Sequence, residues 1–222
     1  MKLSNRLSAI TEYVAPEDKI IDIGCDHALL DVYIANELGK RLIASDIHEG
    51  AVNNAAKNIE KYEALNMIDL RLGNGLNVIN PEEINTIIIA GMGYNTIKDI
   101  LSNSEKMTNV TKIIVQSNTD VVKLRKFVIS LGFMINREQL VKDGDIIYTV
   151  IEFLKGEEKY SYEEIYFGPK ILENKDELFK EYYSKKLLKY ENLLLQLPSH
   201  ELRSMLHHKK LIKIIKKELD IE

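Results

Sequence analysis

The residues best suited to do chemistry stand at the ends of apolar runs. Gly24-Cys25-Asp26-His27 stops the run Ile20-Ile21-Asp22-Ile23 and leads into Ala28-Leu29-Leu30. A buried strand, a tight loop and a helix start aim backbone N–H groups and the positive end of a helix dipole past the strand's C-terminal edge. Ligands of open α/β sheets bind there. Asp46 ends a second run 22 residues after Gly24, near the roughly 20-residue spacing at which an acidic side chain grips ribose hydroxyls. Gly73-Asn74-Gly75 ends a third, where Asn can hydrogen-bond an adenine amine. The competing reading of the first loop, a corner that binds nothing, has to explain why three adjacent strand ends carry such groups.

The loop also discriminates between adenosine cofactors. Dinucleotide-binding loops use G-x-G-x-x-G so that backbone can approach a pyrophosphate. Here only the first glycine is present, and Asp26 would repel a pyrophosphate. An acidic loop suits the cationic sulfonium and ammonium of S-adenosylmethionine, which is the favoured cofactor over NAD. Cys25, the single cysteine, reads as small-residue packing; it excludes an intramolecular disulfide and a zinc site built on cysteine spacing.

These loops require strands and helices in alternation to position them. Leu3, Leu7, Ile10 and Val14 mark a short helix ending before Pro16, expected to cover a sheet edge. Strands are expected at 20–23, 41–45, 68–72, 86–90 and 112–116, and helices at 28–38, 49–62, 96–101 and 121–130. Two long strands, 133–141 and 146–154, flank the turn Lys142-Asp143-Gly144, a hairpin signal. The pattern is a doubly wound α/β sheet, mostly parallel, with a reversed last strand: the plan of Rossmann-like class I methyltransferases. The composition changes near Gly156, which divides the chain into 1–157 and 158–222. The second part reads as an α-helical hairpin with Leu178, Tyr182, Leu187, Leu194 and Leu197 facing inward, a break at Pro198-Ser199, and Leu202, Met205, Leu211, Ile215 and Leu219 on the second helix.

The chain has 222 residues, 45% hydrophobic and 29% charged, enough for one sizeable core and an appendage. No apolar run approaches the roughly 20 residues that span a bilayer, and the amphipathic N-terminus lacks a signal-peptide core, so a cytoplasmic location is expected. Charge is uneven. Nine Lys or Arg stand against two Glu between Tyr183 and Lys217, a net of +7, which leaves −11 elsewhere in a chain of total −4. Such an arm is either a solvated helix face or a nucleic-acid contact. His200, His207 and His208 lack a carboxylate or cysteine at ligand spacing, so no metal is expected.

The segments LSNRLSAI, DIGCDHALLD, ASDIHEGAVNNA, RLGNGLNVI, IAGMGYNTI, IVQSN and YFGPKIL, in this order, resemble the TrmK family of bacterial tRNA methyltransferases, which modify N-1 of adenine 22. The resemblance covers almost the whole chain. It departs where the family favours Asp at Asn74, Gly at Tyr94 and Pro at Ser117. It implies S-adenosylmethionine held at the ends of the first four strands by Asp22, Gly24, Cys25, Asp26, His27, Asp46, Ile47, Asn74, Gly75, Ala90, Gly91 and Met92. It also implies a C-terminal coiled-coil-like domain assisting tRNA binding, here through Arg203, Lys209, Lys210 and Lys213. A monomer is expected.

The residues present agree with ring-nitrogen methylation. Pyrimidine-carbon methylation usually needs a cysteine nucleophile, and amino-group methylation of adenine an Asn/Asp-Pro-Pro-aromatic motif; Ala90-Gly91-Met92-Gly93-Tyr94 is not that motif. N-1 of adenine is already a lone-pair nucleophile, so positioning supplies most of the acceleration. Asp26 is the candidate acceptor for a proton of the adenine amine, against a role in cofactor contact or helix capping alone. His27 either caps the helix or borders the target pocket. Tyr94 and Asn118 lie where a flipped base would enter, to stack on it and hydrogen-bond it or simply to wall the pocket. The alternative functions are methyl transfer to another RNA position or a small molecule, and non-catalytic RNA binding on a Rossmann-like fold.

Overall fold

The computed structural model describes residues 1–103, 105–198 and 201–221, and it divides the chain into two compact units, 1–160 and 161–222. The division falls slightly beyond the change in composition, because the Tyr160 hydroxyl accepts a hydrogen bond from the Ile135 amide at 2.8 Å and ties the intervening residues to the sheet.

The first unit opens with α1 (Asn5–Thr11), followed by β1 (Ile20–Ile23), α2 (Leu29–Glu37), β2 (Leu42–Asp46), α3 (Glu49–Lys61) and β3 (Ile68–Leu72). Then come β4 (Thr86–Met92), α4 (Tyr94–Leu101), β5 (Lys112–Ser117), α5 (Val121–Ser130), β6 (Phe133–Asp143) and β7 (Ile146–Lys155). The seven strands lie in the order β3-β2-β1-β4-β5-β7-β6. Strands β1 to β5 are parallel, and β7 runs antiparallel to both β5 and β6. The order reverses between β1 and β4, which makes that crevice the switch point at which such sheets take ligands.

Alternation along the strands divides the core between the two sheet faces. Ile20, Ile88 and Ile114 pack with Ile10, Val32, Ile34, Ala55 and Ile59 of α1, α2 and α3. Ile21, Ile87, Ile89, Ile113 and Val115 face the other way, onto Ile97, Leu101, Leu124 and Val128 of α4 and α5. Strands β1, β2 and β5 are covered on both faces and buried from end to end, mostly by apolar residues but with Asp22 in β1 and Lys112 and Gln116 in β5. Truncating one such residue, Ile88→Ala, would cost about 2–5 kcal/mol. Buried ion pairs add to the far half of the sheet: Arg125 of α5 meets Glu138 of β6 at 2.8 Å, and Lys112 meets Asp18 at 2.8 Å.

Several local expectations change. Ala28 is not helical but left-handed (φ 52°), and α2 begins one residue later. Helix α1 does not only cover an edge: it reaches from the edge strand β6 over β7 and β5 to α2. Strand β4 runs on through Gly91 and Met92, with a register shift there. The hairpin turn is Gly144-Asp145, since Asp143 still pairs with Ile146; Gly144 supplies the positive φ of 60° that the tight turn needs.

The second unit holds two short helices, α6 (Tyr162–Phe167) and α7 (Pro169–Glu173), before the long pair α8 (Glu177–Gln196) and α9 (Leu202–Glu218). Contacts of Tyr190 with His208 and of Lys175 with Glu218 make the pair antiparallel. The inward residues of α8 are Phe179, Tyr183 and Leu187, not Leu178 and Tyr182, because Phe167 supplies an aromatic partner with its ring 6.0 Å from Phe179 and 4.8 Å from Tyr183. On α9, Leu211, Ile214 and Ile215 are buried, whereas Leu202 is exposed. Ser199 and His200 lie outside the described residues. No described helix is long and apolar enough to cross a membrane.

Candidate active site

The strand ends at the switch point surround a cavity of about 790 Å³. Its walls include Asp22, Gly24, Cys25, Asp26 and His27 from the end of β1; Asp46 and Ile47 from β2; Asn74 and Gly75 after β3; and Ala90, Gly91 and Met92 from β4. The candidate cofactor residues read from the sequence thus converge on one cavity.

The first loop is shaped by backbone bonds. The Ser45 carbonyl accepts from the amides of Gly24 (2.7 Å) and Cys25 (3.0 Å), and Ala28 N–H donates to the Cys25 carbonyl at 2.7 Å. Gly24 (φ 81°) is followed by Asp26 (φ 50°) and Ala28 (φ 52°), so the chain turns sharply and opens toward the cavity. A Cβ on Gly24 would stand 2.1 Å from the Met92 methyl, so the Met92 side chain lies over the bare glycine Cα. No side chain caps α2, so neither Asp26 nor His27 serves as its cap. Both stay accessible, with side chains 72% and 54% exposed and 3.8 Å apart.

Asp46 is 8% exposed and held from two sides: its Oδ2 accepts from Asp26 N–H at 3.3 Å, and its Oδ1 from His48 N–H at 2.9 Å. His48 Nδ1 lies 3.2 Å from the same Oδ1, so Oδ2 is the oxygen with a lone pair left for a ligand hydroxyl. Beneath the loop, Asp22 and Asp31 are buried against each other. Burial pushes the Asp22 carboxyl up to about 7, the nearby Asp46 charge adding to it while a hydrogen bond from Asp31 opposes it. Asp31 is raised well above the carboxylate range, by burial first and the Asp22 charge second. Burial likewise raises the Cys25 thiol, with Asp31 and Asp22 next in effect, which keeps it neutral and leaves it the packing role expected.

The donor set favours a cation. Among the described residues, four carboxylates (Asp22, Asp26, Asp46, Asp99) line the cavity and Arg6 is its only Lys or Arg. A pyrophosphate would face repulsion there, whereas a sulfonium or ammonium would be stabilised. Fit to S-adenosylmethionine therefore rests on the carboxylates and on the glycine cradle at Gly24.

Comparison with known proteins agrees. The family model for TrmK, tRNA (adenine(22)-N(1))-methyltransferase, matches residues 20–218. The chain belongs to the TrmK family. It is 30% identical to the tRNA (adenine(22)-N(1))-methyltransferase of Bacillus subtilis over 84% of this chain and 82% of that one. The crystal structure of B. subtilis TrmK superposes with a TM-score of 0.89 at 25% identity, covering 98% of this chain and 99% of that one. TrmK of M. capricolum, in complex with the cofactor product S-adenosylhomocysteine, gives 0.88 at 31% identity and 99% of both chains.

Other candidate residues are placed differently. Asn118 does not line the cavity; it adjoins it, its Nδ2 donating to the Gly91 carbonyl at 2.7 Å. Tyr94 opens α4 and packs edge-on to Phe127. Arg203, Lys209, Lys210 and Lys213 are exposed on α9 in the second unit, with Lys210 Nζ 3.6 Å above the Tyr162 ring. His208 Nδ1 lies 2.8 Å from the Ser204 carbonyl, and no set of three or more His, Cys, Asp or Glu placed to hold a metal occurs among the described residues. Sequence reading misses Arg6, His48 and Asp99 as cavity residues. Two segments of the family resemblance touch them, LSNRLSAI at Arg6 and ASDIHEGAVNNA at His48, and neither assigns a role.

Proposed function

We propose that this chain transfers a methyl group from S-adenosylmethionine to N-1 of adenine 22 in tRNA, as a cytoplasmic monomer that needs no metal. The observation that carries the reading is the acidic, glycine-cradled cavity at the switch point of a TrmK-family fold. When bound, S-adenosylmethionine supplies an electrophilic methyl carbon on a positively charged sulfur.

This chain's residues do the rest. Asp46 receives the ribose hydroxyls and Asn74 the adenine edge of the cofactor, with Gly75 and Ile47 flanking. Asp22 attracts the ammonium. Gly24, Cys25, Ala90, Gly91 and Met92 shape the wall that aims the methyl carbon at the target and excludes water. Asp26, exposed beside His27 at the mouth, accepts the hydrogen of the target adenine's amine as positive charge develops on the ring. Tyr94 and Asn118, at the ends of β4 and β5, border the entry of the flipped base, with His27 on the opposite side. In the second unit, Arg203, Lys209, Lys210 and Lys213 meet tRNA phosphates, and the +7 segment supplies the field that draws the polyanion in.

Labelled methyl donor and unmodified tRNA, followed by nucleoside analysis, test the proposal. N-1-methyladenosine at position 22 is the expected product. Label at another position would favour the alternative RNA substrate, and donor binding with no transfer to RNA would favour a non-catalytic RNA-binding protein.

A further inference from the structure

Arg6 comes from α1, outside the strand–helix repeat, yet its guanidinium reaches the cavity at the ends of β4 and β5. Its Nη1 donates to Gln116 Oε1 at 2.5 Å and passes 3.4 Å from where a Cβ on Gly91 would stand. Gln116 is fully buried and held on its other sides: Oε1 also accepts from Gly91 N–H at 3.0 Å, and Nε2 donates to Asn118 Oδ1 at 3.0 Å. The Arg6 guanidinium lies 5.5 Å from the Tyr148 ring centroid. Although four carboxylates line the same cavity, none of the described acids forms an ion pair with Arg6. A guanidinium has five N–H donors, and among the described residues only one of them is engaged.

A cation in this cavity opposes a sulfonium cofactor, so its use lies with the other substrate. It stands by β4 and β5, away from the β2 and β3 ends where Asp46 and Asn74 sit. We propose that Arg6 clamps a backbone phosphate beside the adenosine that is methylated, held at the cavity mouth by Gln116. The inference rests on the tRNA methyltransferase reading above. Phosphate is the better partner than the base itself. Methylation at N-1 makes the adenine ring cationic, and a guanidinium on that ring would oppose the reaction, whereas a guanidinium on a phosphate forms the planar two-point contact that suits it and leaves the ring's charge unopposed.

Initial rates against tRNA concentration at several salt concentrations, for wild type, Arg6→Gln and Arg6→Lys, test this, with calorimetric affinity for S-adenosylmethionine and a melting temperature for each. Arg6→Gln is expected to raise KM for tRNA about ten- to a hundredfold. It should leave the donor's affinity unchanged or tighter, and flatten the log–log salt dependence of tRNA affinity by about 0.7–0.9. Arg6→Lys keeps the salt dependence but only part of the affinity, because it retains charge without the fork. An unchanged KM and salt dependence in Arg6→Gln overturns the proposal. So does a loss confined to donor affinity or melting temperature, which would make Arg6 only a support for Gln116. If wild type transfers no methyl group to tRNA, the methyltransferase reading falls first and this inference with it.

Discussion

Replacing Asp31 with asparagine should make the protein more stable at pH 8 and less sensitive to pH. Asp22 and Asp31 are 4% and 0% exposed, and Asp31's carboxyl oxygens find no donor unless one of the two acids keeps its proton. The Asp22 carboxyl rises from 3.8 to about 7, chiefly through burial. Between those values the folded chain retains a proton that the unfolded chain has released. Stability is therefore full below pH 3.8 and falls as pH rises; the share from Asp22 levels off above about 7, while Asp31, raised further, goes on losing stability beyond it. Each retained proton costs about 1.4 kcal/mol per pH unit, so Asp22 alone accounts for about 3 kcal/mol between pH 5 and 7. Asparagine removes the acid that is raised further, and its amide can donate to an ionised Asp22, which brings Asp22 back toward its ordinary value. Urea unfolding followed by circular dichroism at pH 5 and 8 should show the wild type losing at least about 3 kcal/mol more than Asp31→Asn. An equal loss in both proteins, or a variant less stable than wild type at pH 8, would refute the shared-proton account.

If Asp22 attracts the donor's ammonium, the pair should release a proton on binding at pH 6.5; calorimetry in two buffers of different ionisation enthalpy measures it, and zero net release would remove Asp22 from that role. Gly24→Ala forces a Cβ at φ 81° to within 2.1 Å of the Met92 methyl. It should cost about 1–2 kcal/mol of stability and weaken donor binding at least tenfold, whereas undiminished binding would mean that Met92 swings aside freely. Glu138→Gln leaves Arg125, 2% exposed, without its carboxylate at 2.8 Å, and should cost about 3–5 kcal/mol in urea unfolding; a loss below about 1 kcal/mol would contradict the burial assigned to that pair.

The β–α order is legible in the sequence because parallel strands covered on both faces are mostly apolar, so that a glycine-containing polar cluster marks where a strand ends. Strand ends are also where such sheets bind ligands, which is why Asp46, Asn74 and Asp26 can be picked out without coordinates. Arg6 cannot. A cation on the polar face of a short amphipathic helix has the pattern of any solvated residue, and its partner Gln116 is 110 positions away. Asp31 misleads for a related reason: an acid in a helix's first turn usually faces water and complements the dipole, but packing onto Asp22 turns this one inward. The helical unit shows the same limit. Apolar periodicity selects Leu178 and Tyr182, while the face that is actually buried follows Phe167, whose ring lies 4.8 Å from Tyr183. Leu188 and Leu195, exposed at 62% and 85%, belong to a leucine surplus that α8's own unit does not cover. Periodicity thus reports an apolar face but not its partner. The residues it misses here, Arg6 and Asp31, are those whose role depends on one distant side chain, and Arg6→Gln and Asp31→Asn probe those two contacts directly.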